Sequence, residues 1–349
     1  MPQTARRSRW IVAPLLIVIL LALAWSGAWL WASRVADDQI AAWIGREAAV
    51  GRVYGCASRT IGGYPFRIEL RCTEPAVELR GQGTPVAIKA REILAVAQVY
   101  QPTLIIAEVS GPMTVSDAAG TLSLTADWTL LQASVRGLPA TPERISLVFD
   151  APRLRNTSSS DADVLVRADR IEFHVRQDAA SRADEPVFDL GSRLTNAVIP
   201  SIAGFSSRPL NAEASAILRG LRDLIPKPVA LRLREWQAAG GRLEIANARM
   251  QQGEALARVS GDLGLSERGR LNGTLTLAFV GFEDLARAMG LPHLQIRGGQ
   301  EGLLGRLSSV FGGGETAIDG KKAMAIPLRF QEGAVFFGPL PLGQTPAWF

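Results

Sequence analysis

The chain has little of the chemistry that metal sites and catalytic centres need. Its 349 residues include two histidines, His174 and His293, and two cysteines, Cys56 and Cys72. Two isolated histidines without identifiable carboxylate partners do not make a zinc site. The GxSxG, HExxH and P-loop motifs are also missing from the sequence. We therefore predict that the protein holds no metal and no cofactor, has no catalytic residue, and is not an enzyme.

The remaining polar features are predicted to lie on the surface. His174 shares the polar face of an alternating segment with Arg170 and Glu172, and His293 follows a proline in a loop. The pairs of neighbouring aspartates lack the spacing of a calcium loop. The glycine run at 312–314 is typical of a helix end followed by a turn. None of these features indicates a ligand.

Lysine is scarce and positive charge is not concentrated. Four of the 38 basic residues are lysines, and the formal net charge is +5. The first nine residues carry three of these charges, Arg6, Arg7 and Arg9, so the rest of the chain has a net charge of +2. A nucleic-acid-binding surface requires a basic patch or stripe. We therefore predict no nucleic-acid partner.

One long apolar run dominates the N-terminus. No charged residue occurs between Trp10 and Ser33. The core of this stretch, Trp10–Trp31, would form a helix about 33 Å long, against a hydrocarbon core about 30 Å thick. Residues 10–33 are therefore predicted to be a transmembrane anchor that contacts the lipid bilayer, preceded by a short tail over residues 1–9.

The alternative is a cleaved signal peptide, because Ala22-Leu23-Ala24 has the small-x-small pattern of a cleavage site. However, the apolar run continues through Trp25, Trp29 and Trp31, beyond the length of a signal core. Tryptophans near both ends are also typical of a spanning helix. The pattern favours an uncleaved anchor, although cleavage near Trp25 would leave the compartment unchanged.

The flanking charges predict the orientation. The short tail has three arginines and no acidic residue, whereas the exit side has acidic as well as basic residues. The positive-inside rule keeps such a tail in the cytoplasm. We expect a single-pass protein of the inner membrane of a Gram-negative cell, with residues 34–349 in the periplasm.

The two cysteines agree with export. They are 16 positions apart, and Gly62-Gly63 and Pro65 predict a turn between them, followed by an alternating strand over 66–70. An even cysteine count in an oxidising compartment favours a disulfide between Cys56 and Cys72. Two unrelated free thiols remain the alternative at this point.

The rest of the chain predicts a mostly β fold with α insertions, of the α+β class. Residues 35–50 have helical periodicity, and apolar residues then alternate in short segments separated by Gly, Pro, Asp and Asn. A helical insertion is predicted at about 188–239, with helices over 212–224 and 231–238, and short helices over 282–290 and 303–314. The predicted architecture is an extended, curved antiparallel sheet domain over residues 34–349, after the anchor.

Several segments resemble known families. They are GGYPFRIELRC, LREWQAAGGRLEI, SGDLGL with GRLNGTLTLAF, and PLRFQEGAVFFGPLPLG. Over residues 5–345 the chain resembles an alphaproteobacterial membrane-anchored family that is known as a domain of unknown function. Its strand meander is also similar to AsmA-like proteins. The second resemblance implies a periplasmic β-sheet domain with a role in phospholipid transport or outer-membrane assembly.

Three classes of function follow. The first is a protein that binds or transfers phospholipid or another hydrophobic ligand in an apolar groove. The second is an envelope scaffold or assembly factor that binds a protein partner, and the third is an enzyme. The first class is preferred, with the alternative that the same apolar residues form a dry core. The predicted groove residues are Leu122, Leu124, Leu263, Leu265, Leu275, Leu277 and Phe279.

Overall fold

A computed structural model of the chain describes residues 6–80, 84–138, 141–158, 163–179, 181–182, 185–200, 208–224, 227–280 and 314–349. Most of these residues belong to antiparallel strands, as the alternating pattern predicted. The elements in chain order are α1 (Arg6–Ala49), β1 (Arg52–Gly55), β2 (Ser58–Gly62), β3 (Arg67–Thr73), β4 (Ala76–Leu79), β5 (Val86–Lys89), β6 (Glu92–Gln98), β7 (Gln101–Ser110), β8 (Met113–Asp117), β9 (Ser123–Asp127), β10 (Leu130–Arg136), β11 (Arg144–Asp150), β12 (Arg153–Asn156), β13 (Asp163–Arg167), β14 (Arg170–Gln177), β15 (Val187–Ala197), β16 (Leu210–Arg219), α2 (Val229–Ala238), β17 (Arg242–Gln252), β18 (Ala255–Leu265), β19 (Leu271–Val280), β20 (Gly314–Ile318), β21 (Lys321–Gln331), β22 (Ala334–Phe337) and β23 (Leu340–Gln344).

The chain divides into two compact units, Met1–Ser123 and Leu124–Phe349. The sequence predicted one β-rich domain over residues 34–349, and it contained no composition shift near residue 123 that would mark a boundary. Both units contain antiparallel strands.

The first unit contains α1 and two groups of antiparallel strands, in the orders β1-β4-β5-β8 and β2-β3-β6-β7. In the second group, cross-strand register aligns apolar residues on one face. One such row joins Ile61, Leu70, Ala95 and Ala107. This alternation is what the sequence pattern of β3, β6 and β7 predicted.

Helix α1 is continuous from Arg6 to Ala49, so it includes the predicted anchor and all but the last residue of the helix predicted over 35–50. Charged residues appear after Ser33, but they do not interrupt the helical periodicity. The helix ends before Gly51, which has a φ of 83° and would place a Cβ 2.4 Å from the carbonyl oxygen of Arg80. Within the described residues, α1 is long and apolar enough to span a membrane.

The predicted disulfide is confirmed. Cys56 and Cys72 are bonded, with their Cα atoms 5.5 Å apart. Cys56 lies just before β2, and Cys72 is a buried residue of β3 opposite Arg59. The bond therefore closes the open end of the β2–β3 hairpin, while the turn at 63–66 closes its other end.

The second unit contains a small sheet and a large one, both antiparallel. The small sheet has the order β9-β12-β13, and the large one has the order β10-β11-β14-β15-β16-β17-β18-β19-β21-β22-β23, with β20 paired to β21. Most neighbours in the large sheet are consecutive in sequence. The sheet is therefore a long meander, which extends the three-strand meander that the sequence indicated near residues 242–280.

The predicted helical insertion at about 188–239 is mostly wrong. Val187–Ala197 and Leu210–Arg219 are strands β15 and β16, and the helix predicted over 212–224 does not exist. Only α2, at Val229–Ala238, agrees with the helix predicted over 231–238. The error arose because β16 is rich in alanine, a good helix former. Hydrogen bonding to strands on both sides overrides that local preference.

Smaller differences concern the limits of strands. The alternating segment at 120–135 forms two strands, β9 and β10, which belong to different sheets. The segment at 164–175 likewise forms β13 and β14. The Pro/Gly-rich C-terminal segment contains β23. The predicted helix over 282–290 and His293 lie outside the described residues, as does all of the predicted helix over 303–314 except its last residue, Gly314, which begins β20.

Two buried apolar clusters lie in the second unit. One is formed by Leu256, Ala278, Ile318 and Ala323, where β20 joins the large sheet. The other is formed by Ala168, Ala197 and Leu210, with Ile171, Leu194 and Met250 packed against it. Both clusters are small, so much of the large sheet is only partly covered by the described residues.

Candidate functional site

The cross-strand register of the large sheet produces three parallel apolar rows on one of its faces. Each row crosses the nine strands β10, β11, β14, β15, β16, β17, β18, β19 and β21. We call the surface formed by these rows the apolar face. Row 1 is Val135, Ile145, Val175, Leu190, Ala216, Ile245, Gly261, Leu275 and Leu328; row 2 is Ala133, Leu147, Phe173, Ser192, Ala214, Ala248, Val259, Leu277 and Ile326; row 3 is Leu131, Phe149, Ile171, Leu194, Ala212, Met250, Ala257, Phe279 and Met324.

The opposite face of the same strands is polar. One of its rows is Glu172, Arg193, Glu213, Arg249 and Arg258. Ion pairs join neighbouring strands on this face, with nitrogen–oxygen distances of 2.6 Å in Arg176–Asp189 and 2.8 Å in Arg242–Asp262. Such a pattern is expected when one face of an antiparallel sheet contacts water.

The apolar face is not a closed core. The residues of rows 1 and 2 are half-buried, apart from Phe173, which is 46% exposed. In row 3, Leu131, Ala257 and Phe279 are buried, and the packing of Ile171 and Leu194 against the buried Leu210 covers its centre. Rows 1 and 2 therefore form the accessible part of the face, and row 3 forms one side of it.

The middle of the accessible part is lined by small side chains. Ser192, Ala214 and Ala248 lie side by side in row 2, and Ala216 and Gly261 lie in row 1. Gly261 has a φ of 137°, and a Cβ there would lie 2.2 Å from the carbonyl oxygen of Thr274, so this position cannot take a larger residue without a backbone shift. These three adjacent small residues of row 2 span about 10 Å, from the spacing of strands, and we call this part of the apolar face the depression because the side chains on either side of it in row 2 are larger.

The dimensions of the apolar face suit a long, thin ligand. Nine strands spaced about 4.8 Å apart span about 38 Å, measured across the strands. Of the 27 positions in the three rows, only Ser192 has a polar side chain. A surface with so few hydrogen-bonding groups can hold a hydrocarbon chain but has little with which to recognise a polar molecule.

The structure brings together five of the seven predicted groove residues. Leu275, Leu277 and Phe279 of β19 lie in rows 1, 2 and 3. Leu263 pairs with Leu243 and Gly273, and Leu265 pairs with Leu271, beyond row 1 on the same face.

Leu122 and Leu124 lie elsewhere. Leu122 is in the turn after β8, where its backbone N–H donates to the Asp117 carboxylate at 3.0 Å. Leu124 is on β9 of the small sheet, opposite Asn156. The contribution of β15 and β16 to the apolar face was not predicted, although the alternation of Ala212, Ala214 and Ala216 with polar residues could have indicated it.

His174 lies on the polar face, beside Glu172, as its alternating segment predicted. A pocket of about 370 Å³ on the polar face is lined by residues that include His174, Glu172, Arg193 and Glu213. Arg170 donates a hydrogen bond to Glu172 at 2.6 Å, which lowers the pKa of Glu172 and keeps it ionised. The hydroxyl of Ser215 donates to the backbone carbonyl of Asn247 at 3.4 Å. The pocket thus joins a histidine with acids, and the hydroxyl of Ser215, one of its two serines, is directed to the backbone.

A second charged cluster lies at the start of α2. Lys227 contacts Asp223 at 2.9 Å and Glu235 at 2.7 Å, and these carboxylates raise the pKa of Lys227. Arg232 donates to the Asp223 carboxylate at 3.0 Å. These charges neutralise one another, so the cluster explains how the segment before α2 is held to the helix. Among the described residues, no group of three or more His, Cys, Asp or Glu residues is arranged to hold a metal ion.

Comparisons with known proteins identify a bacterial family. A family model described as an uncharacterized protein conserved in bacteria (DUF2125) matches residues 29–346. No curated protein and no solved structure matches the chain. The match begins within α1 and includes the strands of both units.

Proposed function

The chain belongs to the DUF2125 family, and we propose that it binds lipid acyl chains on the apolar face while α1 anchors it in the inner membrane. The proposal places residues 34–349 in the periplasm. It assigns the protein a role in holding or transferring phospholipid, or a similar hydrophobic ligand, for the cell envelope. It includes no catalytic turnover.

The proposed anchoring is supported by the surface of α1. The side chains from Leu15 to Leu23 are largely exposed and almost all apolar, a state that costs free energy in water and is favourable in a bilayer. The disulfide supports an oxidising compartment for the first unit. Alkaline phosphatase fused after Phe349 is therefore expected to be active, and a fusion reporter active only in the cytoplasm would contradict the orientation.

The observation that carries the lipid proposal is the continuity of rows 1 and 2 across nine strands. A half-buried apolar row of this length exposes surface that costs about 25 cal/mol for each Å² in contact with water. An acyl chain lying along the rows would cover that surface. Because only Ser192 offers a side-chain hydrogen bond, we expect recognition by shape and hydrophobicity, with the head group outside the apolar face.

The proposal includes no catalytic turnover because binding a lipid requires no catalytic groups. Holding an acyl chain needs no acid–base pair, and His174 with Glu172 lies on the opposite face of the sheet. A ligand on the apolar face would therefore be separated from these groups by the sheet itself. This arrangement makes the enzyme alternative less suitable than lipid binding.

The scaffold alternative has one specific surface in its favour. Strand β23 is at the end of the strand order of the large sheet, and Leu340 and Leu342 are exposed on it. An exposed edge strand can pair with a strand from another protein. However, Pro341 interrupts the hydrogen-bonding capacity of this edge, which weakens it as a template.

Photo-crosslinking within cells tests the lipid proposal with a matched control. The photoreactive amino acid p-benzoylphenylalanine replaces Leu277 on the apolar face or, in the control, Thr276, the exposed neighbour on the polar face. After irradiation, the full chain is purified and examined by mass spectrometry for attached phospholipid. We expect adducts at Leu277 and few at Thr276. Equal adducts at both positions, or none at Leu277, would contradict the proposal.

A further inference from the structure

Helix α1 is held to the turn of the β2–β3 hairpin by several contacts. The indole of Trp25 donates to the Pro65 carbonyl at 2.9 Å, and the indole of Trp29 donates to the Arg67 carbonyl at 2.9 Å. The rings of Trp29 and Tyr64 meet edge to face, with centroids 5.5 Å apart. The turn is therefore fixed to a particular level along the helix.

The same end of the first unit presents exposed aromatic side chains. Tyr64 is 55% exposed and Phe66 is 64% exposed, even though both contact α1. The β6–β7 turn lies beside them, because the N–H of Val99 donates to the Phe66 carbonyl at 3.0 Å. Tyr100 in this turn is 74% exposed. We call Tyr64, Phe66 and Tyr100 the aromatic tip.

The level of the aromatic tip coincides with the expected edge of the bilayer. The anchor, residues 10–33, is longer than the stretch of about 20 apolar residues that a membrane-spanning helix needs, and about 20 residues counted from Trp10 end at Trp29. Trp25 and Trp29 are the residues that contact the turn. A tip fixed beside Trp25 and Trp29 cannot lie far above the membrane when the anchor spans it.

We infer that the aromatic tip is a second membrane contact, inserted into the interface of the leaflet through which α1 leaves the bilayer. The inference rests on the proposed anchoring of α1. Tyrosine and tryptophan are enriched at this depth because an apolar ring and a polar group are both accommodated there. Two of the three tip residues, Tyr64 and Tyr100, are tyrosines, and the ring of Phe66 lies against Trp25 of α1 with centroids 6.4 Å apart.

Further contacts along α1 show why insertion would orient the first unit. Asp37 pairs with Arg59 at 2.6 Å, and the rings of Trp43 and Tyr54 have centroids 4.7 Å apart. The hairpin therefore follows α1 away from the tip, and its disulfide end lies furthest from the membrane. Attachment through both α1 and the aromatic tip would restrict the tilting of the first unit that attachment through α1 alone permits.

Depth-dependent fluorescence quenching tests this inference on the full chain. Single cysteines replace Phe66 in the tip, Ser110 at the far end of β7, or Leu20 in the middle of the anchor. Since Cys56 and Cys72 are bonded, each variant has one free thiol for a nitrobenzoxadiazole label. Strand β7 starts next to the tip, and Ser110 is therefore about 30 Å away. The proteins are reconstituted in vesicles of phosphatidylethanolamine and phosphatidylglycerol that contain spin-labelled lipid.

We expect a blue-shifted emission of the Phe66 label and its loss with a spin label near the head group. The Ser110 label should show neither effect, and the Leu20 label should be quenched by a spin label deep in the acyl chain. If the Leu20 label is quenched while the Phe66 label behaves like the Ser110 label, the aromatic tip does not contact the membrane, although α1 does span it. If Leu20 is not quenched, the proposed anchoring fails and the inference fails with it.

Discussion

Filling the depression of the apolar face should prevent lipid binding without unfolding the protein. Ala214 lies in row 2 between Ser192 and Ala248, the other small residues at the centre of the face. Ala214→Trp would place an indole over this depression. Tryptophan suits a strand, and Ala214 is only half-buried, so we expect the unfolding free energy to change by about 1 kcal/mol or less.

The effect on binding is larger because the indole occupies space that the ligand needs. A tryptophan side chain covers enough surface to displace three or four methylene groups of an acyl chain. At about 0.8 kcal/mol for each methylene, the loss is about 3 kcal/mol, or about a hundredfold in Kd. The control is Ser215→Trp, which adds the same side chain to the next residue of β16, on the polar face, where Ser215 is exposed.

The measurement is a titration of the purified full chain, held in amphipol, with a pyrene-labelled phospholipid. Thermal unfolding of both variants is recorded in parallel. Ala214→Trp is expected to lose about a hundredfold in affinity, from the same estimate, and Ser215→Trp to bind as the original chain does. An unchanged Kd for a folded Ala214→Trp variant would refute the assignment of the apolar face, as would an equal loss in both variants.

Three further predictions concern stability. Replacing Cys56 and Cys72 with alanine should lower the unfolding free energy of the first unit by about 3 kcal/mol in denaturant titrations, because the bond closes a loop of about 16 residues; unchanged stability would contradict a structural role. Phe279→Ala should cost about 3–5 kcal/mol, since Phe279 is buried in row 3, and a loss below about 1 kcal/mol would indicate that the region is open. The hydrogen bond from Arg170 lowers the pKa of Glu172. The contribution of ionised Glu172 to the free energy of unfolding is therefore fully present above the ordinary glutamate pKa, and it is lost as pH falls through the lower native pKa. Glu172→Gln should therefore reduce the melting temperature at neutral pH but not in strong acid, and a pH-independent difference would refute this cause.

Sequence patterns were sufficient to predict local features, but they were not sufficient to predict which residues form the apolar face. The helix, the disulfide and the alternation of Leu275, Leu277 and Phe279 could be predicted because each depends on residues close in sequence. The position of Leu124 could not, since alternation shows that a strand has an apolar side but not which sheet contains it. Strand β16 was read as a helix because its alanines satisfy both patterns, and only pairing with β15 and β17 decides between them.

The irregularities of the meander are a further reason why the face could not be read from alternation. In β17, Leu243 and Ile245 lie on the apolar side, and strict alternation would place Asn247 there as well. Instead, the register shifts between Ile245 and Ala248, so that these residues pair with Gly261 and Val259. At this bulge two residues of β17 oppose one residue of β18. The extra residue places Ala248 on the same face as Ile245. Without it, every side chain beyond Ile245 would lie on the other face. The bulge thus keeps Ala248 in line with Ala214, and the depression at the centre of the apolar face depends on it.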